Sequence, residues 1–239
     1  MKELLSYVFS PLREGDLALY RGSGNGLAPI LLVAPEETSL GCIQRLEHEY
    51  ALKAELDPDW AARPVALTRY NDRMTLVLED PGGAPVDRLL GRPLDVSQFL
   101  RIAIPLAGAL RRVHERGLVH KDIKPANILV DAASGGVWLT GFGIASRLRR
   151  ERQSPAPPES IAGTLAYMAP EQTGRMNRSI DARSDLYALG VTLYQMLTGS
   201  LPFTAADPME WVHCHIARKP VPPSEIGRAS CRERVCHNV

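Results

Sequence analysis

An α+β fold, a small β-rich part followed by a larger helical one, is the architecture this sequence predicts. Three observations lead there. The first eighty residues alternate short β-like runs with turn residues; the spacing turns helical after "PGGAP" at 81–85; and 239 residues with 45% hydrophobic content suffice for one sizeable core or two small ones. Lys+Arg at 28 against Asp+Glu at 27 leaves a formal charge of +1. The whole chain therefore carries no electrostatic footprint for nucleic acid or a membrane surface.

In the first part "LALY" (17–20), "PILLVA" (29–34) and "MTLVLE" (74–79) read as strands, with the glycine cluster "RGSGNG" (21–26) between the first two. One helix interrupts them: "SLGCIQRLEHEYALKAEL" (39–56) sets Ile43, Leu46, Tyr50 and Leu56 near helical spacing, and Pro58 closes it. Further on, Asp95 or Ser97 caps "VSQFLRIAIPLAGALRRVHERG". There Phe99, Leu100, Ala103, Leu106, Ala107, Leu110 and Val113 form an apolar stripe, and Gly117 is the stop. "RSDLYALGVTLYQMLTG" (183–199) is a second strong helix, with Leu186, Leu189, Leu193, Met196 and Leu197 as its core positions. The segment from Ile144 to Met168, rich in Arg, Pro and Ser, reads as a loop of the length that usually has a function.

Cys42, Cys214, Cys231 and Cys236 are too few and scattered for a disulfide framework, which points to a reducing cytoplasm. The most apolar stretch, "IAIPLAGAL" (102–110), is too short to span a bilayer, and no secretory signal is visible. In "WVHCHIARK", His213, Cys214 and His215 invite a metal reading, but neighbouring helix positions point apart, and helical metal pairs prefer i, i+3 or i+4.

The segment with most chemistry is "VHKDIKPANILVD" (119–131), which sets Asp122, Lys124 and Asn127 within six residues. It resembles the catalytic loop H-R-D-L-x-x-x-N of eukaryotic-type Ser/Thr protein kinases. Other elements of that family follow in order over residues 10–224. "GTLAYMAPEQ" (163–172) is similar to the end of the activation segment, with Ala169, Pro170 and Glu171 as its A-P-E, and "SDLYALG" (184–190) to the helix that anchors the catalytic loop, with Asp185 in a structural role. The resemblance implies a bilobal protein-kinase-like fold that uses ATP and Mg. Asp122 would accept the substrate hydroxyl proton, Lys124 would stand near the transferred phosphate, and Asn127 would be a magnesium ligand. Gly22, Gly24 and Gly26 would form the phosphate-covering glycine loop, although a glycine-rich hairpin turn looks the same. Lys121 replaces the usual loop arginine and would pair an activation-loop phosphate less well. Thr164 is a hydroxyl expected near Asp122, and Ser154 and Ser160 are possible phosphorylation positions.

Two positions depart from the family pattern. Gly141 stands where the D-F-G aspartate would hold magnesium, and no acidic residue lies between Asp131 and Glu151. Lysines occur at 2, 53, 121, 124 and 219 alone, so Val33 or Leu31 takes the place of the strand lysine and only an arginine can replace it. Glu49, the match to the helix glutamate, then has Lys53 one turn later as its natural surface partner. Each such loss costs roughly 10²–10³ in rate, and two independent losses would lower a turnover of about 1–100 s⁻¹ by roughly 10⁴–10⁶. Two functions stay open: an impaired Ser/Thr protein kinase, and a pseudokinase acting as a nucleotide-binding or non-catalytic interaction module.

"HKDIKPANILV", "LTGFGIAS" and "CHIARKPVPP" are also similar to the amino-terminal kinase domain of bacterial signalling proteins in which an ATP-binding domain, a GAF domain and a histidine kinase follow. That resemblance implies a cytoplasmic module whose partners are ATP, a protein substrate or downstream domains of the same polypeptide, without nucleic acid or membrane. The expected division is an amino lobe at 1–79, an incomplete carboxy lobe at 80–224 and a tail at 225–239. The tail, "EIGRASCRERVCHNV", resembles a translated sequencing adapter and is set apart from the fold. The arginine that usually pairs Glu171 would lie beyond 224.

Overall fold

The computed structural model describes residues 4–147, 165–175 and 178–226. Thr164, Ser154, Ser160 and the tail from 227 lie outside them.

The first lobe is an antiparallel five-stranded sheet of β1 (Val8–Arg13), β2 (Leu17–Gly24), β3 (Leu27–Pro35), β4 (Pro64–Tyr70) and β5 (Arg73–Glu79), in the order β1-β2-β3-β5-β4. The strands read from sequence are β2, β3 and β5. The two that sequence reading missed, β1 and β4, are the edges. They carry Pro11 and Pro64, which an edge strand tolerates because one side of its ladder is unpaired. Leu19, Leu31, Leu76 and Leu78 point inward and are fully buried.

Helix α1 (Leu40–Ala51) lies on this sheet, capped by the Ser39 hydroxyl, which accepts from the Cys42 N–H at 3.2 Å. Leu46 is its anchor, with no exposed surface. The helix ends short of the predicted Leu56; residues 52–60 continue as turns that carry Leu52, Leu56 and Trp60 into the core of the second lobe.

Asp80–Gly83 joins the lobes. Asp80 receives the Arg21 guanidinium from β2, and Gly83, at φ +71°, backs onto Val130, whose carbonyl oxygen would lie 2.4 Å from any Cβ there. Only glycine fits that crossing.

The second lobe contains β6 (Ala84–Pro85), α2 (Val96–Glu115), β7 (Leu118–Val119), β8 (Ile128–Val130), β9 (Val137–Leu139), β10 (Ser146–Arg147), α3 (Ala182–Thr198) and α4 (Pro208–Ala217). β6, β8 and β9 form one small sheet, and β7 and β10 another. Asp95 is the cap of α2, accepting from the Gln98 N–H at 2.9 Å. The buried face of α2 is Ile102, Ala103, Leu106, Ala109, Leu110 and Val113, whereas Leu100 and Ala107 are exposed. The predicted stripe was too wide: 100 and 107 lie on its flank, and Ile102 and Ala109 take their places.

α3 starts at Asp181 and stops at Gly199, φ +76°. Leu186, predicted in the core, is 54% exposed. The inward face is partly polar, with Ser184, Asp185 and Thr192 buried beside Leu189 and Met196, so an apolar count alone misplaces it. Among the described residues no helix is long and apolar enough to cross a membrane.

Candidate active site

A cleft of about 500 Å³ opens between the lobes, within the usual size range of small-molecule sites. Leu17, Leu19 and Val33 form its apolar wall; Asp122, Lys124, Asn127, Thr140 and Gly141 form its floor.

The floor is set by the turn between β7 and β8. Lys121 has φ +67°, a conformation that costs a non-glycine residue energy and needs support. Asp185, fully buried on α3, provides it. Its carboxylate accepts from the backbone N–H of Lys121 at 2.7 Å, from that of His120 at 2.8 Å and from His114 Nε2 at 2.9 Å. Gln172 Nε2 donates to the Lys121 carbonyl at 2.9 Å. His120 sits beneath, its Nε2 donating to the Thr140 carbonyl and its Nδ1 accepting the Asp122 N–H, which is the neutral tautomer. Burial lowers the His120 pKa, against the fields of Asp185 and Asp122.

The three catalytic candidates meet on this floor. Asp122 Oδ2 receives Lys124 Nζ at 2.9 Å and Asn127 Nδ2 at 2.8 Å, while Oδ1 is buried with no hydrogen-bond partner among the described residues. A carboxylate held by one oxygen and unpartnered at the other keeps a lone pair for the proton of a hydroxyl. The glycines are a different matter. Gly22, Gly24 and Gly26 are not in the cleft; they belong to the β2–β3 hairpin, where Gly26 turns at φ +74° and Gly22 leaves room for Phe9, 2.7 Å from where a Cβ would stand. The turn that overhangs the cleft is β1–β2, residues 13–16, with Gly15 at φ +127°. Its signal in the sequence is "REGD", a turn cluster without the repeated glycines of the family pattern.

Two further residues were not foreseen. Arg13, at the end of β1, reaches across the cleft: Nη1 donates to Asn127 Oδ1 at 2.5 Å and to the Ala126 carbonyl at 3.1 Å, and Nη2 to the Leu17 carbonyl at 3.1 Å. Burial lowers its pKa, with Asp122, Glu49 and Asp87 acting the other way. Arg45, on α1, lines the same space, and its Nε is buried without a hydrogen-bond partner among the described residues.

Glu49 corrects the expected surface pair with Lys53. It is 2% exposed, faces the cleft, and its Oε1 has no hydrogen-bond partner among the described residues, while Lys53 Nζ instead donates to the Val65 carbonyl at 3.0 Å. Burial raises the Glu49 pKa, opposed by hydrogen bonds from the backbone of Phe142 and Gly141 and by the charge of Arg13. Val33 occupies the cleft wall near it, so no strand lysine meets this carboxyl.

The donor set does not fit magnesium. Asn127 Oδ1 is the one ligand the motif retains, and it already accepts from Arg13. Gly141 supplies no carboxylate, and a Cβ there would stand 2.9 Å from Asn127 Cγ, Nδ2 and Oδ1, so a side chain at 141 has no room beside the amide. Magnesium favours carboxylates and phosphate oxygens over a lone neutral amide.

Glu171 finds a local partner, the Ser184 hydroxyl, at 2.6 Å. His215 of α4 is buried, accepting from Tyr187 at 2.7 Å on Nδ1 and donating to the Leu165 carbonyl at 2.7 Å from Nε2.

Comparison with known proteins agrees with this architecture. The chain belongs to the protein kinase domain family, whose pattern matches residues 36–225. It is 40% identical over 133 residues to a probable serine/threonine-protein kinase of Corynebacterium efficiens, covering 56% of this chain and 20% of that protein. With serine/threonine-protein kinase Pkn1 of Myxococcus xanthus it shares 39% over 157 residues, 64% of this chain and 22% of that one. With PknB of Mycobacterium tuberculosis the figures are 36% over 132 residues, 55% and 21%. The chain spans about a fifth of the length of these relatives. It is a eukaryotic-type Ser/Thr protein kinase domain with the fold of that family.

Proposed function

We propose that this chain is an ATP-binding Ser/Thr protein-kinase module whose phosphoryl transfer to protein hydroxyls is strongly attenuated. The observation that carries the reading is the floor of the cleft: Asp122, Lys124 and Asn127 are assembled, while Gly141 and Val33 stand where an acid and a cation are missing. In the proposed step Asp122 Oδ1 accepts the proton as the substrate hydroxyl oxygen bonds to the γ-phosphorus of ATP and the bridging β–γ oxygen leaves with ADP. Lys124 offsets charge on the transferred group. Asn127 and Lys124 keep the carboxylate oriented.

The module divides, in this reading, into an amino lobe at 1–79 and a carboxy lobe at 80–224. Its setting is the cytoplasm, supported by the free, buried thiols of Cys42 and Cys214. Its partners are protein substrates or further signalling domains of the same polypeptide.

The test is phosphate incorporation from ATP into the chain itself and into a generic protein substrate. The expected rate lies roughly 10⁴–10⁶ below the usual 1–100 s⁻¹, and Asp122→Asn abolishes what remains. A second reading, a pseudokinase that regulates without transfer, is favoured by the Arg13 side chain resting on Asn127. Incorporation that is absent, or unchanged by Asp122→Asn, decides for it.

A further inference from the structure

We propose that the cleft takes a nucleoside polyphosphate without a divalent cation, with the guanidinium of Arg13 as its phosphate contact. The inference rests on the nucleotide reading above and goes beyond it in naming the contact and dispensing with the metal.

Three observations lead to it. The single amide oxygen left to a metal, Asn127 Oδ1, is held by Arg13 Nη1 at 2.5 Å, so a fixed positive charge already stands on that ligand. The neighbouring position, Gly141, offers no carboxylate, and even a Cβ there would come within 2.9 Å of the amide. Among the described residues that line the cleft, Arg13, Arg45 and Lys124 stand inside with the buried carboxylates Glu49 and Asp122, while Glu14, Asp16 and Asp87 are exposed at its rim. A divalent site needs surplus carboxylate, and a phosphate site needs surplus cation. Inside the exposed rim, the described lining holds three cations and two carboxylates.

Arg13 is also built for the task. A guanidinium has five N–H groups in a planar fork, and three of them are engaged, with Asn127, Ala126 and Leu17. Those bonds anchor the side chain in the cleft and leave two N–H groups for a phosphate oxygen. Arg13 enters from the β1–β2 turn, whereas Val33 shows that β3 sends no cation into the cleft. The positive charge absent from one strand is thus present on another, three residues before Asp16 in the turn at the mouth.

The experiment is calorimetric titration of the whole chain with ATP in EDTA, with ATP in magnesium chloride, and with adenosine. Wild type is expected to bind ATP in EDTA with a Kd within about threefold of that in magnesium. Arg13→Ala should weaken ATP by about 10- to 100-fold, the size of a lost charged hydrogen bond, and leave adenosine unchanged. Should Arg13→Ala weaken adenosine as well, Arg13→Lys decides: its ATP affinity recovers if Arg13 contacts phosphate and stays as low as alanine's if Arg13 only props Asn127.

ATP binding that requires magnesium overturns the metal-free site. Equal ATP binding by wild type and Arg13→Ala overturns the assigned contact. If neither ATP nor adenosine binds in any buffer while circular dichroism shows a folded chain, the nucleotide reading itself falls, and the inference with it.

Discussion

Gly141 combines two roles that a single substitution separates. Its φ of +81° is a left-handed conformation that costs an L-residue about 1–2 kcal/mol, and its Cα faces the Asn127 amide at a distance that leaves no room for a side chain. Gly141→Ala should therefore lower stability by about 1–3 kcal/mol, read as a reduced urea midpoint at constant m. An unchanged midpoint would show that the Asn127 side chain yields freely. The absence of a carboxylate at this position is legible in "LTGFGIAS", as is the absence of a strand lysine. Arg13 is not legible in the same way, because nothing in the spacing of 13 and 127 tells that β1 and the turn after β7 face one another. Glu49 was assigned to Lys53 by helical spacing alone. Its burial comes from the way α1 lies against the Phe142–Ile144 turn, with His48 Nε2 hydrogen-bonded to the Ala145 carbonyl at 2.6 Å.

At the scale of elements, α3 is the support of the floor. Asp185 holds two buried backbone N–H groups of a turn that includes a residue at φ +67°. Asp185→Ala leaves both donors unsatisfied and should destabilise the chain by about 3–5 kcal/mol, whereas Asp185→Asn, which keeps one acceptor, should cost less. Equal losses for the two variants in urea unfolding would mean that volume, not hydrogen bonding, is what Asp185 contributes. Elements with both ends marked were readable. α2 has Asp95 before it and Gly117 after it; α3 has Gly199 at its stop. The edge strands β1 and β4 were not, since half-exposed strands with proline lack clear alternation. The glycine cluster at 22–26 marked a turn correctly, but the turn joins β2 to β3 rather than covering the cleft.

Across the molecule, the contact between α3 and α4 sets a pH window. His215 is buried between Tyr187, Trp211 and Phe203, and burial lowers its pKa, opposed by its bond to the Leu165 carbonyl. A lowered folded-state pKa contributes stability that is full above the unfolded value, about 6.5, and is lost as pH falls through the folded one. Tyr187 is pushed up to about 12, first by burial and then by the fields of Glu171 and Cys214. A raised folded-state pKa gives stability that is full below the unfolded value, about 10, and is lost as pH rises toward 12. Glu49, raised by burial, works against the acid trend, favouring the folded state at low pH. Thermal unfolding across pH should thus show a plateau between about 7 and 10, with His215→Gln flattening the acid limb. An acid limb unaltered in that variant would assign the loss to other groups.

By itself the sequence determined the family, the order of the lobes, the Asp122–Lys124–Asn127 grouping and the two departures at Gly141 and the strand lysine, because each is carried by residue identity over a short span. Only the tertiary structure decided which glycine overhangs the cleft, that Glu49 is buried, and that Arg13 rests on Asn127, 114 residues away. Those facts depend on which surfaces are brought together when two lobes close on one cleft, and a linear pattern of local periodicities contains no measure of that distance.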